Sequence, residues 1–131
     1  MDIEVSHEVV GEGIAVVRAV GELDVYTVPK WRRYLLELVS GEAGPRHVGL
    51  DFSEIAYFDS TAVGGLVRCW REHRDGGGED PGVFALFSLT ERTEKIMDLT
   101  GLARVITVLG SQEEFLGLAR PTRTSRSVEE G

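Results

Sequence analysis

Short apolar runs alternate with amphipathic helical stretches along almost the whole chain, and this alternation restricts the fold more than any other feature. Ile3 and Val5 alternate with polar residues, Gly11-Glu12-Gly13 makes a turn, and Ile14 to Val20 reads as a second strand, so the chain opens on a hairpin. Gly21-Glu22-Leu23-Asp24 then forms a tight exit from that strand. Thr27 stands at an N-cap position, Pro29 suits a first helical turn, and Trp31, Tyr34, Leu35, Leu38 and Val39 share one helical face, which Gly41 ends. Val48 to Phe52 predicts a short buried strand. A helix follows from about Thr61 to His73, with Ala62, Val63, Leu66, Cys69 and Trp70 inward and Arg68, Arg71 and Glu72 toward water. Asp75 to Gly82 is expected to be a flexible loop, too polar and glycine-rich to pack. Val83 to Phe87 predicts another strand, and Thr90 caps a helix through Leu99 that Gly101 ends. Val105 to Val108 predicts the last strand. Ser111 and Glu114 have capping-box spacing for a final helix carrying Phe115, Leu116 and Ala119, stopped by Pro121.

The order β-β-α-β-α-β-α-β-α implies an α/β domain with a mixed, mostly parallel sheet of about five strands and about four helices. The domain is expected over residues 1–120, with a polar, disordered tail over 121–131. A chain of 131 residues buries roughly two thirds of its unfolded surface, so it needs no disulfide or metal to fold. Cys69 is the only cysteine, which excludes an internal disulfide and fits a reducing cytoplasm. No apolar stretch approaches the ~20 residues that span a bilayer. Met1-Asp2-Ile3-Glu4 carries neither a basic nor an apolar export region. Fourteen basic residues against 22 acidic ones give a net charge of −8, which repels phosphate backbones and argues against nucleic-acid binding.

In such sheets the functional loops lie beyond the carboxyl ends of the strands. Phe58-Asp59-Ser60-Thr61-Ala62-Val63-Gly64-Gly65 falls in one of them, and Gly21 to Asp24 is expected near it. The segment places a serine hydroxyl at the positive end of a helix. Asp59 or Ser60 acting only as a cap would explain each residue singly. Asp59, Ser60 and Thr61 all compete for that one role, however, so at least one is spare. Ala62, Gly64 and Gly65 also cost helix propensity. They serve either an open surface or close helix packing.

The same residues carry a resemblance to a family. Asp59-Ser60-Thr61-Ala62-Val63-Gly64 between a strand and a helix resembles the signature of STAS-domain anti-sigma factor antagonists, commonly Asp-Ser-Ser-Gly-Leu-Gly. Gly21-Glu22-Leu23-Asp24 is similar to a second motif of that family, and Leu99-Thr100-Gly101-Leu102 to a third. The match runs from about residue 2 to 119. It implies a cytoplasmic bacterial partner switch in the stress response. The unphosphorylated antagonist binds an anti-sigma factor that is also a serine kinase, and so frees a sigma factor for transcription. Phosphorylation by that kinase breaks the complex, and a serine phosphatase resets it. Ser60 matches the phosphoacceptor, with Thr61 as the second choice. Asp24, Asp59, Ser60, Thr61, Ala62, Val63 and Gly64 are then the expected partner-binding residues. ATP belongs to the kinase, so no cofactor is expected, and the chain is expected to be a monomer or weak dimer. Thr61 stands where a second serine is commoner, and Ala62-Val63 where Gly-Leu is usual.

Two other functions compete. An enzyme using Ser60 as nucleophile needs a base within reach, but Ser60 is not in a Gly-x-Ser-x-Gly elbow and His73 lies roughly 20 Å along the same helix. A regulatory subunit of a transporter ATPase, or a stressosome-type scaffold, would use the same rim without phosphate control. His7, His47 and His73 have no metal-site spacing and are expected at surface or structural positions. Cys69 is expected to be an inert buried thiol, and Trp31 and Trp70 to pack helices onto the sheet.

Overall fold

The structure, a computed structural model, describes residues 2–41 and 44–120. It contains β1 (Ile3–Gly11), β2 (Ile14–Leu23), α1 (Val28–Ser40), β3 (His47–Asp51), β4 (Ile55–Phe58), α2 (Ser60–Gly76), β5 (Phe84–Phe87), α3 (Glu91–Thr100), β6 (Thr107–Leu109) and α4 (Gln112–Ala119). A 3-10 turn over Leu102–Arg104 links α3 to β6. The strand order is β1-β2-β3-β5-β6, with β1 antiparallel to β2 and the other pairs parallel. The expected mixed, mostly parallel α/β sheet is therefore present, together with its opening hairpin and four helices.

β4 is a sixth strand that the sequence did not announce. The four residues Ile55 to Phe58 are too few to display a period of their own. The strand exists because β2 outlasts β3. β2 pairs with β3 through Arg18 opposite Asp51, then with β4 through Gly21 opposite Ile55 and Leu23 opposite Phe58. The handover shifts register at Gly21, which adopts φ 132° and whose N–H donates to the Glu54 carbonyl at 3.2 Å. A Cβ there would lie 2.9 Å from the Asp2 carbonyl oxygen, so both the left-handed backbone and the close approach call for glycine.

One face of the sheet packs against α1 and α2 around Val17, Ala19, Leu35, Leu50, Phe52 and Leu66. The other face buries Val16, Ala85 and Phe87 under Phe115 of α4. Trp31 is buried against Phe52, and Trp70 is half-buried beside the same core with the Arg74 guanidinium 4.5 Å over its ring. Both tryptophans therefore pack as expected.

Several boundaries differ from the sequence reading. α2 starts at Ser60, because Asp59 caps it, and runs on to Gly76. β6 begins at Thr107 rather than Val105, because the N–H groups of Val105 and Ile106 both bond the Leu102 carbonyl at 2.9 Å and extend the 3-10 turn. Asp75 to Gly82 is exposed through Asp80 and half-buried at Pro81 and Gly82, yet it is tied down at several points. Asp75 and Gly76 belong to α2, Asp80 pairs with Arg46, and Gly82 (φ 87°) comes so near the Arg46 carbonyl that a Cβ would sit 2.5 Å from its oxygen. Gly77 and Gly82 permit close contact, whereas Gly76 and Gly78 face open space. Thr90, Ser111 and Gly101 cap as expected, Thr90 accepting from the Thr93 N–H and Ser111 from the Glu114 N–H. Pro121 and the tail over 121–131 lie outside the described residues.

Candidate functional site: the rim at the start of the second helix

The parallel register of β2 and β4 builds the site. Leu23 and Phe58 are opposite one another and fully buried, so the chain is anchored at both positions. The next residues, Asp24 and Asp59, emerge side by side from neighbouring strands, whose spacing is about 4.8 Å. The two motifs that lie 35 residues apart in sequence therefore meet at one edge. The β5–α3 connection opens at the same end of the sheet, where Ser88 takes a left-handed φ of 59°, a backbone state that serine adopts rarely.

Asp59 caps α2. Its carboxylate accepts from the Thr61 N–H at 3.0 Å and from the Ala62 N–H at 3.4 Å. Ser60 is the first helical residue and is exposed, and its hydroxyl has no hydrogen-bond partner among the described residues. Thr61 is also exposed. Of three candidates for one capping role, Asp59 takes it and both hydroxyls remain spare.

Asp24 organises the β2–α1 loop. Its carboxylate accepts from the N–H groups of Tyr26 (2.9 Å) and Thr27 (3.0 Å). Thr27 is the N-cap of α1 by position, yet its hydroxyl accepts no helical N–H. It donates back to the Glu22 carbonyl at 2.5 Å and accepts from the Asp24 N–H at 3.0 Å. Desolvation opposes the charged form of Asp24, but the N–H groups of Tyr26 and Thr27 outweigh it. The carboxyl is thus held below its ordinary range, and Asp24 stays an anion at the rim.

The remaining expected site residues divide by burial. Gly64 is exposed, and a Cβ there would meet nothing within 4 Å, so it does keep the surface low. Gly65 serves close packing, since a Cβ would lie 3.2 Å from Val28 of α1. Val63 is half-buried. Ala62 is fully buried, so it faces the core under the first turn and contributes to any docking only through the seating of α2.

Two residues at this rim escaped the sequence reading. Val25 and Tyr26 are 58% and 85% exposed in the loop that Asp24 shapes. An apolar side chain followed by an aromatic one, directly after Gly21-Glu22-Leu23-Asp24 and in a turn too tight to bury them, was the available signal.

None of the three histidines serves Ser60. His73 is buried, and its Nε2 donates to the Arg46 carbonyl at 2.7 Å. His47 accepts the Val83 N–H through Nδ1 at 3.0 Å, and the His7 Nδ1 lies 2.5 Å from the Tyr34 hydroxyl. Cys69 is fully buried and its thiol is pushed up to about 12 by desolvation, so it is not poised to react. Among the described residues no group of three His, Cys, Asp or Glu side chains is placed to hold a metal, and no helix is long and apolar enough to cross a membrane.

The STAS domain family model matches residues 7–115. The chain belongs to the STAS domain family. The rim is thus the strand-to-helix edge of a STAS domain. Among curated proteins the chain is similar to the anti-sigma-B factor antagonist of Listeria monocytogenes, 31% identical over 97 residues, which are 74% of this chain and 80% of that protein. The antagonist of the same name from Bacillus subtilis is 31% identical over 97 residues, 74% of this chain and 83% of that protein. Among solved structures, an anti-sigma factor antagonist from Mycobacterium paratuberculosis superimposes with a TM-score of 0.78 at 22% identity, covering 91% of this chain and 95% of that one. That likeness establishes the fold.

Proposed function

We propose that this STAS domain is an anti-sigma factor antagonist whose partner binding is switched by phosphorylation of Ser60. The observation that carries the reading is the division of roles at the start of α2. Asp59 performs the capping, which leaves an exposed serine hydroxyl without structural work at the edge where two motifs converge. The 31% identity to anti-sigma-B factor antagonists supports the class of partner.

The switch follows from local electrostatics. A phosphate on Ser60 adds about −1.5 to −2 charges and three acceptor oxygens. The helix-start N–H groups of Thr61 and Ala62 already serve Asp59, so the phosphate cannot fold back onto them without displacing a carboxylate. Asp24 adds a further anion on the adjacent strand. The new charge therefore projects outward, where a partner docked on a neutral hydroxyl meets bulk and charge. Like-charge contacts at an interface cost several kcal/mol, and each ~1.4 kcal/mol is tenfold in affinity. The kinase and the phosphatase are separate cytoplasmic proteins in this reading, and the chain itself binds rather than catalyses.

The test is titration of an anti-sigma factor kinase from the same cells with the native chain, Ser60→Ala and Ser60→Asp. Ser60→Ala is expected to bind whether or not ATP is present. Ser60→Asp is expected to fold normally and bind at least tenfold more weakly. Equal binding by the two variants would sink the switch and leave a transporter subunit or scaffold as the better reading.

A further inference from the structure

α1 and α2 lie side by side, and a groove of about 360 Å³ runs along their outer surface. Arg32, Arg33 and Leu36 of α1 and Arg68 of α2 line it, with Pro29 at one end and Glu37 as its acidic member. Arg32 lies across α2, since a Cβ on Gly65 would be 3.9 Å from the Arg32 Cβ and the Cys69 Sγ is 3.9 Å from the Arg32 carbonyl. Arg68 falls within that span of α2. The ion pairs among the described residues use Arg18, Lys30, Arg46 and Arg74, and none of these three arginines. A chain of net charge −8 thus gathers three arginines against one carboxylate, Glu37, in a single groove, with none of the three in a described ion pair.

The groove and the rim share α2. Ser60, Gly64 and Arg68 follow one another at helical four-residue spacing on α2, so Arg68 lies about 12 Å from Ser60 along the axis. Gly64 leaves the surface between them open.

We propose that this groove binds an acidic segment of the same protein partner that docks on the Ser60 rim. The inference rests on the antagonist reading and names a second point of attachment. Charge selects the occupant: three guanidinium groups favour carboxylates, with bidentate geometry available to each. Every lining side chain is exposed or half-buried. An extended peptide laid along the groove suits such a surface, whereas small-molecule pockets bury most of their ligand. The site lies beyond direct contact with a phosphate on Ser60, so the segment tethers the partner without being displaced by the switch.

The probe is a fluorescein-labelled octapeptide of alternating Glu and Ala, titrated into the full chain by anisotropy. Amide shifts of the labelled chain locate the contact. Saturable binding that weakens severalfold between 50 and 200 mM salt is expected, on the order of the screening change. The shifts are expected at Arg32, Arg33, Leu36 and Arg68. The triple Arg→Gln variant at 32, 33 and 68 is expected to lose at least tenfold, while the triple Arg→Lys variant retains part of the binding. Equal binding by the native chain and the Gln variant, or shifts confined to other arginines, would overturn the proposal. Ser60→Asp is expected to bind the peptide within twofold of the native chain, so peptide binding reports the groove alone. Failure of the switch would show in the kinase titration instead.

Discussion

Asp59→Ala isolates the division of labour on which the proposed switch depends. The substitution removes the carboxylate that accepts from Thr61 and Ala62 and leaves two N–H groups at the helix start without it. Loss of an aspartate N-cap costs about 1 kcal/mol. For a chain of this length that lowers the unfolding midpoint by about 4 °C. The informative step is the second substitution. In the native background Ser60→Asp introduces a charge while Asp59 holds both donors, so stability is expected to change little. In the Asp59→Ala background the Thr61 N–H is vacant and the Ala62 N–H keeps only the residue-59 carbonyl at 3.0 Å, and a carboxylate at position 60 recovers about 0.3–1 kcal/mol from the freed donor and from the helix dipole. Urea unfolding of the four proteins at constant slope reads this as a coupling between positions 59 and 60. An identical effect of Ser60→Asp in both backgrounds would refute the claim that Asp59 alone occupies the helix start.

Three further outcomes follow from the same geometry. Tyr26→Ala, at a side chain 85% exposed, is expected to leave stability unchanged and to weaken the anti-sigma partner about 30-fold, as loss of a ~2 kcal/mol aromatic anchor would; equal partner affinity would remove the β2–α1 loop from the interface. His73 is held below its ordinary pKa by burial, against the opposing bond to Arg46, and His47 by burial and then by Arg46 and His73. Folding therefore favours their neutral forms. Their contribution is complete above about pH 6.5 and is lost as the unfolded chain takes up protons below it, so the urea midpoint should fall between pH 7 and pH 5. A midpoint that rises over that range would contradict this, and His73→Gln should flatten the slope. Cys69, buried with its thiol pushed up to about 12, is expected to react with a disulfide reagent at pH 8 only after unfolding, and rapid stoichiometric labelling of the native chain would contradict its placement.

The alternation of strands and helices was readable because each element is long enough to show its period or carries a strong cap. Thr90, Gly101 and Ser111 mark their helices through local chemistry that tertiary contacts do not alter. β4 was hidden because its four residues become a strand only where β2 runs past the end of β3, which is a property of register. Thr27 looked like a cap and stands at the right position, but its hydroxyl is drawn to the Glu22 carbonyl by the tight turn around Asp24. At the rim, the spare hydroxyl beside Asp59 was legible as an excess of capping groups. The split of Gly64 to the surface and Gly65 to α1 was not, because only the position of α1 decides it. Ala62 fell on the inward stripe and in the expected docking set at once, and its complete burial resolves that conflict in favour of packing.

The central claim, that Ser60 is the point of control, is tested most directly in the protein's own cells. The chain is recovered from growing and from stressed cultures, and phosphopeptides are mapped across residues 56–68. Phosphate on Ser60 whose occupancy differs between the two conditions is the expected result. A peptide unmodified at both Ser60 and Thr61 in every condition would contradict the switch.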